Sequence, residues 1–576
     1  MVKKRFDTPV LIVGGGPVGL ALAGDLGWRG VGSILAEKRS ARVDQPKMDM
    51  VGVRTMEFCR RWGIVDWVES AGYNREYPQD CAWVTTLNGY EFGREPFPPP
   101  SQEKLPPQSP QKRERCPQNF FDPVLDRFAE RSGLCELRRH SELLAFEDGP
   151  DSVVAELRDT ETGEVFEVAA QYLVGCDGGS SLVRTSLGIG MSGDGVLTYT
   201  SNAIFRCDHL EDMHHLEPAY RYIFIGPEGT WATLVAINGR DQWRFSLIGD
   251  SQRTEATEAE IRAAIVRAVG RDFDFDVLSI LPWTRSQLVA DSYRSGRVFI
   301  AGDAAHLTSP TGGFGMNTGI LDAVNLSWKL AAVVQGWGGE TLLDSYDAEQ
   351  RPVAIRNVTE AGGNLQRMLS PRIARPDPLI FTGDDAAARA ARREYGDNYT
   401  EMMRREWYSI GIHLGYIYED SPAIVPDGTT TPDMTVSSYT QTARPGSRAP
   451  HFWLGEGRSI LDEFGRGFVL LDIGASGGPA ATSVIERAAD ELGVPLRVVQ
   501  VRESAVRELY GARYVLVRPD GSVAWRGQDV PDHPHEILDV ARGVGERTSY
   551  RVSADTDRAA GRPSRRPVSD RLSSRA

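Results

Sequence analysis

The sequence predicts a mixed α/β fold in three parts: a Rossmann-like nucleotide-binding domain, a β-sheet domain and a small α/β C-terminal unit. Three observations lead there. Pro9–Val13, Pro17–Gly30 and Ser33–Glu37 read as strand, helix and strand around a glycine turn. A second region, about Leu197 to Leu288, carries alternating strands such as "TWATLVAI" and "QWRFSLIG". From Arg444 the order is strand, helix, strand, then a hairpin-like "YVLVRPDGSVAWRG".

Taken in order, the opening unit has an apolar run at Val10–Val13 and a proline at the start of its helix, both usual for a βαβ unit. The proline-rich "FPPPSQEKLPPQSPQ" (Phe97–Gln111) must be an extended surface loop. Ser152–Gln171 alternates around "TETGE" and reads as a hairpin. Asp344 to Trp407 is helical and charged. The C-terminal unit has expected strands at Phe468–Leu471, Leu496–Val501 and Tyr514–Val517, with a helix near Ala480–Leu492. Beyond about Gly545 large apolar residues almost vanish, and a disordered tail is expected.

Length and composition narrow the function. A chain of 576 residues exceeds one hydrophobic core, so two or three domains are expected. The net charge of −14 argues against nucleic acid or an anionic membrane as partner. The cysteines Cys59, Cys81, Cys116, Cys135, Cys176 and Cys207 form no C-x-x-C pair and no metal-ligand cluster, so no metal is expected. Their sparseness suits a reducing cytoplasm. The basic N-terminus is followed by an apolar run of only Val10 to Val13, too short for a signal peptide, and no 18-residue apolar run exists.

Two stretches carry chemistry. In "VLIVGGGPVGLALAGDL", Gly14-x-Gly16-x-x-Gly19 follows a strand and opens a helix. These glycines allow a tight turn, the approach of a pyrophosphate and close helix packing, and Glu37 ends the next strand where a ribose would lie. This fingerprint does not separate NAD from FAD. In "GRVFIAGDAAHLTSPTGGFGMNTGILDAVNLSWKL", Asp303 ends a strand, and "TGGFGMNTG" brings bare backbone to the positive end of a helix from about Met316. A flavin offers partners to both: ribityl hydroxyls, and a ring edge that becomes anionic on reduction.

That second stretch closely resembles the FAD motif of the single-component FAD-dependent aromatic hydroxylases, the group of para-hydroxybenzoate hydroxylase and phenol 2-monooxygenase. "LVGCDGGSSLVRTSLGI" (Leu173–Ile189) resembles the family's Asp-Gly motif, associated with FAD and NAD(P)H. "VRTMEFCRRWGI" (Val53–Ile64) and "PQNFFDPVLDRFAE" (Pro117–Glu130) resemble its Arg-bearing and Gln-bearing helices. "PGSRAPHFWL" and "GRSILDEFG" are similar to the thioredoxin-like extension of the phenol 2-monooxygenase and 2,4-dichlorophenol 6-monooxygenase branch. With no cysteine beyond Cys207, this unit has no thiolate for dithiol exchange, and a structural or oligomerisation role is expected.

The resemblance implies a Rossmann-like FAD-binding domain of the para-hydroxybenzoate hydroxylase type, built from residues 1–76, 112–192 and 286–400. It implies a β-sheet substrate domain at 77–111 and 193–285, a linker at 401–443, a thioredoxin-like domain at 444–544 and a disordered tail at 545–576. Gly14, Gly16, Pro17, Gly19, Glu37 and Lys38 would hold the ADP half of FAD, with Arg54 and Gln118. Asp177 would serve the Asp-Gly motif, and Gly302 and Asp303 the ribityl chain. Gly315, Met316 and Asn317 would line the isoalloxazine, and Pro310 would flank the face where oxygen reacts. Lys47 stands where many relatives carry Arg, and Asp122 where they often carry Glu.

The implied activity is NAD(P)H-consuming hydroxylation of a phenolic or polyketide-type aromatic through a flavin C4a-hydroperoxide, with O2 as co-substrate. Baeyer–Villiger oxidation or epoxidation of a polyketide is the alternative, and a non-catalytic FAD-binding protein a third reading. A flavin disulfide reductase would need a second dinucleotide fingerprint and a cysteine pair. The expected partners are a small aromatic substrate and a second copy in a homodimer, without nucleic acid or membrane, in the cytoplasm. The pocket is expected between the flavin loops and Leu197–Leu288, with contributions from Tyr77–Arg94. Of its aromatic residues Tyr220, Tyr222, Phe224, Trp231, Trp243 and Phe245, about half are expected to face a pocket or the FAD domain. The catalytic base is not legible: His306 follows the Gly-Asp pair, but a packing or hydrogen-bonding role suits it equally. No carboxylate clamp is recognisable. The choice of NADH or NADPH, the regiochemistry and the oligomeric state stay open.

Overall fold

Val10 to Val13 are buried at the centre of an eight-stranded sheet, covered on both faces, which is why their side chains do not alternate in polarity. The computed structural model describes residues 4–40, 46–249, 256–474 and 482–545; the expected tail at 545–576 lies, but for its first residue, outside them. Within the sheet, strand Lys4–Val13 runs parallel to Val165–Gly175 on one side and to Ser33–Glu37 on the other. Val298–Ile300 and Cys135–Arg139 extend this parallel set at either side. Val153–Asp159 pairs antiparallel with Val165–Gly175, so the expected hairpin is present. Helix Pro17–Trp28 packs between helices Gln118–Glu130 and Phe314–Val334.

A second eight-stranded sheet joins two distant pieces of chain. Cys81–Val84 and Glu91–Glu95 lie at one edge, beside Arg221–Gly226. Met191–Arg206 and Asp276–Ala290 form a long antiparallel pair that leads back to the first sheet. Helix Glu258–Val269 covers one face through Ile261, Ile265 and Val269. Helices Glu340–Ile373 and Ala386–Trp407 lie against the other, packing Leu365, Met368, Tyr399 and Met403 on Trp83 and Ile223. The charged helical stretch read from the sequence is thus two helices. Residues 401–443, expected as a linker, hold the end of the second one and a further helix, Ile410–Leu414.

The C-terminal unit is a four-stranded sheet in the order Leu496–Val501, Phe468–Ile473, Tyr514–Val517, Val523–Gly527. The first pair is parallel and the others antiparallel. Helices Ser483–Glu491, Ser504–Tyr510 and Pro534–Ala541 complete the thioredoxin-like order. Its core is continuous with the rest of the chain, because Trp328 and Trp337 pack edge-on against Phe468.

Candidate active site

Gly14 leaves the first strand with φ +110°, and a Cβ there would lie 2.3 Å from the Cys176 carbonyl oxygen, so only glycine fits. At Gly16 a Cβ would meet nothing within 4 Å. Gly16 is the N-cap of helix Pro17–Trp28, and no side chain caps that end. Pro17 has no N–H, which leaves those of Val18 and Gly19 without helical acceptors beside open space. Gly19 lies directly over the Gly14 carbonyl. The Glu37 carboxylate closes the turn, accepting the Gly15 N–H at 2.7 Å and the Arg39 N–H at 2.9 Å. Lys38 is exposed.

A similar arrangement stands two strands across the sheet, after Val298–Ile300. Gly302 N–H donates to Asp322 Oδ2 at 3.0 Å, and His306 Nε2 bonds the same oxygen at 2.8 Å. His306 and Asp322 are fully buried. Burial disfavours the imidazolium, but Asp322 outweighs it and raises the His306 pKa. Asp322 thus holds the loop at both Gly302 and His306, and Asp303, which follows Gly302, is exposed. Pro310 is exposed on the loop leading to helix Phe314–Val334, whose N-cap Gly313 brings no side chain. The N–H groups of Phe314, Gly315 and Met316 are therefore without helical acceptors. Asn317 bonds elsewhere: Oδ1 accepts from Gly52 N–H and Thr55 Oγ1, both at 2.7 Å, and Nδ2 donates to Met50 and Gly313 carbonyls. It ties two loops together.

Asp177 accepts the Val183 N–H at 3.2 Å through Oδ2, while buried Oδ1 has no protein partner. Arg184, overlooked although it lies in the quoted motif, staples this loop to the next by donating to the Ala304 and Gly179 carbonyls. Gln118 accepts the Lys47 N–H at 3.1 Å, fixing the loop that carries Lys47, and donates to Asp122. Arg54, expected to help hold the ADP half of FAD, is engaged with protein groups. All three guanidinium nitrogens bond protein: Nε to Tyr416 Oη, Nη1 to Glu57 and Nη2 to the Asp520 carbonyl. Glu57 lies one turn along the same helix, whereas Tyr416 and the Asp520 carbonyl of the docked C-terminal unit are partners that sequence spacing does not reveal.

The loop Pro310–Gly313 also lines a cavity against the second sheet. Of the six aromatic residues, about half of which were expected to face a pocket or the FAD domain, Tyr220 lines it, whereas Tyr222, Phe224, Trp231, Trp243 and Phe245 belong to the core under helix Glu258–Val269. Phe97, Trp283 and Trp407 supply the other flat walls. The Tyr220 hydroxyl donates to Asp49 Oδ2, which also accepts from Arg244 at 3.0 Å. The Arg115 guanidinium lies 3.7 Å from the centre of the Tyr220 ring and bonds Asp49 Oδ1 at 3.4 Å. Burial would raise the Asp49 pKa, but Arg244, Arg115 and the tyrosine bring it below the usual carboxylate range. Among the described residues no cluster of His, Cys, Asp and Glu could hold a metal ion.

These residues fit a flavin dinucleotide. Open space at the uncapped helix end beside Gly16 suits a pyrophosphate. Exposed Asp303 and the unpartnered Asp177 oxygen suit hydroxyl donors, and the second uncapped helix suits an anionic ring edge.

Comparison with known proteins agrees. Residues 7–361 match the family described as "FAD binding domain", and residues 442–543 match "Aromatic-ring hydroxylase, C-terminal". The chain belongs to this family of FAD-dependent aromatic-ring hydroxylases. It is 31% identical over 588 residues to 4-methyl-5-nitrocatechol 5-monooxygenase of a Burkholderia species, covering 94% of this chain and 98% of that one. A solved structure of RebC, soaked with chromopyrrolic acid and holding 7-carboxy-K252c, is 37% identical with a TM-score of 0.87, covering 94% and 100% of the two chains. The flavin-dependent monooxygenase PieE, solved with FAD and substrate, is 29% identical with a TM-score of 0.83, covering 94% and 99%. The chain is a flavoprotein monooxygenase that uses FAD and hydroxylates aromatic substrates, with the NAD(P)H and O2 typical of its family. No helix among the described residues is long and apolar enough to cross a membrane.

Proposed function

We propose that the substrate is a phenolic or polyketide-type aromatic and that Asp49, with Tyr220, is the base that activates it. One observation carries this reading: the Tyr220–Asp49 pair and the Pro310–Gly313 loop line the same cavity. Gly14, Gly16, Pro17, Gly19, Glu37 and Asp177 would hold the dinucleotide, Asp303 the ribityl chain, and the N–H groups of Gly315 and Met316 the ring edge. The chemistry FAD supplies when bound is reduction by NAD(P)H and transfer of one oxygen atom from O2.

The chain contributes position, dryness and a proton acceptor. Asp49 is ionised at neutral pH because two arginines face it. A substrate phenol bonded to the Tyr220 hydroxyl shares its proton with the Tyr220–Asp49 pair, and the proton moves toward Asp49 as oxygen adds to the ring, so that the phenol oxygen takes on phenolate character in that step. The ring is then electron-rich at the carbons ortho and para to that oxygen, where an electrophilic oxygen adds. Phe97, Trp283 and Trp407 exclude water from this step. The flavin, sheet and thioredoxin-like units then divide the labour as cofactor holder, substrate wall and support.

The test is NAD(P)H oxidation in air by the FAD-loaded enzyme against simple phenols, hydroxyphenyl acids and polycyclic quinones, with hydroxylated product and peroxide measured separately. Asp49→Asn is expected to lower product formation on the order of 10²- to 10⁴-fold while peroxide rises. A ketone converted to a lactone, with no aromatic accelerating flavin reduction, would transfer the assignment to Baeyer–Villiger chemistry.

A further inference from the structure

The cavity is lined by six cationic side chains, Lys47, Arg113, Arg115, Arg221, Arg244 and Arg285, against two carboxylates, Asp49 and Glu406. Most of these cations are accounted for. Arg115 and Arg244 share Asp49, Arg221 bonds Glu406 at 2.7 Å, and Arg113 bonds Glu103 at 2.8 Å. Lys47 stands 5.7 Å from the centre of the Trp283 ring.

Arg285 differs. It sits inside the strand Asp276–Ala290, 5% exposed, and its Nε donates to Thr200 Oγ1 at 3.1 Å. Its Nη1 has no partner, and among the described residues no carboxylate lies within ion-pair distance of it. Burial first, then Arg221 and Arg244, pull its pKa down to about 9. Glu406 is nearby, but one of its oxygens is held by Arg221 and the Gly312 N–H, and the other makes no bond. An uncompensated buried cation costs several kcal/mol, and a fold does not keep one in a cavity wall without a counter-charge to meet it. The guanidinium fork matches a carboxylate in shape, and the flat walls of Tyr220, Trp283, Phe97 and Trp407 match an aromatic ring.

We propose that the aromatic substrate carries a carboxylate and that Arg285 is the side chain that receives it. The inference rests on the hydroxylase reading above and names the substrate class: an aromatic acid with its hydroxyl toward Tyr220 and its carboxylate toward the strand Asp276–Ala290. No such carboxylate clamp is recognisable in the sequence alone. Arg285 stands inside a strand, and nothing in its neighbouring residues marks it as a clamp.

The test uses the FAD-loaded enzyme and a matched pair, 1-hydroxy-2-naphthoate and 1-naphthol, titrated by the change in flavin absorbance. The wild type is expected to bind the acid at least about 10-fold more tightly than the neutral phenol. Arg285→Met should weaken the acid by about 10- to 100-fold and leave 1-naphthol within about threefold, while Arg285→Lys restores part of the loss. The melting temperature of Arg285→Met without ligand should equal or exceed that of the wild type, because a buried unpaired cation is removed. Equal binding of the pair in the wild type, binding of neither, or equal weakening of both by Arg285→Met would overturn the inference. If the acid binds selectively but no aromatic stimulates NAD(P)H oxidation, the hydroxylase reading falls and the anion site stands.

Discussion

Gly14 and Gly16, two residues apart, do different work. Gly14 is required by its own backbone and by the Cys176 carbonyl, whereas Gly16 has an ordinary φ and faces open space. Gly16→Val is therefore expected to fold with a melting temperature within about 2 °C of the wild type and to lose FAD affinity by roughly 100-fold or more. Gly14→Ala is expected to destabilise the protein itself by about 1–3 kcal/mol, read by denaturant titration of the FAD-free protein. Normal flavin retention in Gly16→Val would remove the dinucleotide from this turn. Both glycines were legible in the sequence because a turn and a bare helix end depend on one residue and its neighbours. Arg54 was not. Its partners Tyr416 and Asp520 stand 362 and 466 residues away, and a motif match carried no record of them.

Among the elements, helix Phe314–Val334 is anchored by Asn317, whose amide bonds four groups in two segments, Met50–Thr55 and the loop at Gly313. Asn317→Leu leaves the buried Gly52 N–H and Thr55 hydroxyl without an acceptor, and a cost of about 2–4 kcal/mol is expected. The same variant should release flavin faster in stopped-flow dilution, since the helix start and the Gly52 loop are no longer held together. The helix itself was plain from its pattern. Its cross-loop bonds were not, because an Asn inside a helix has the same letter whether it faces solvent or a second loop. The aromatic stripe is a related case: alternation marks two faces but not which of them is covered, and the face with most of the rings lies under helix Glu258–Val269. The pocket instead drew Trp407 from the end of a helix placed partly in a linker.

For the whole molecule, the C-terminal unit is held by buried charge as well as by the tryptophan cluster. Arg518 bonds both oxygens of Glu349, at 2.6 and 2.9 Å, and Lys329 adds a third bond at 2.8 Å. Arg448 likewise grips both oxygens of Glu57. Arg518→Met removes one partner of a buried pair and should cost about 3–5 kcal/mol, seen as an early unfolding transition in calorimetry. Burial would raise the Glu57 pKa, but Arg448 and Arg54 lower it from the ordinary 4.5 to about 2. The stability it adds is therefore complete above about pH 4.5 and lost as pH falls through 2. Tryptophan fluorescence should report undocking across that window, and Glu57→Gln should flatten the dependence. A three-part chain with a cysteine-free terminal unit was readable from composition and pattern. The way its parts lock was not, because each clamp joins residues from different domains.

Arg448 also donates to the Gln108 carbonyl at 3.1 Å, and Ser109 to Glu57. The proline-rich strap thus leaves the cavity at Phe97, is pinned to the thioredoxin-like unit, and returns at Arg113. Chimeras between relatives will feel this. Exchanging the terminal module without matching positions 57, 109 and 448 transplants a support whose grip no longer fits, and the selectivity of a chamber the module never touches should shift with it.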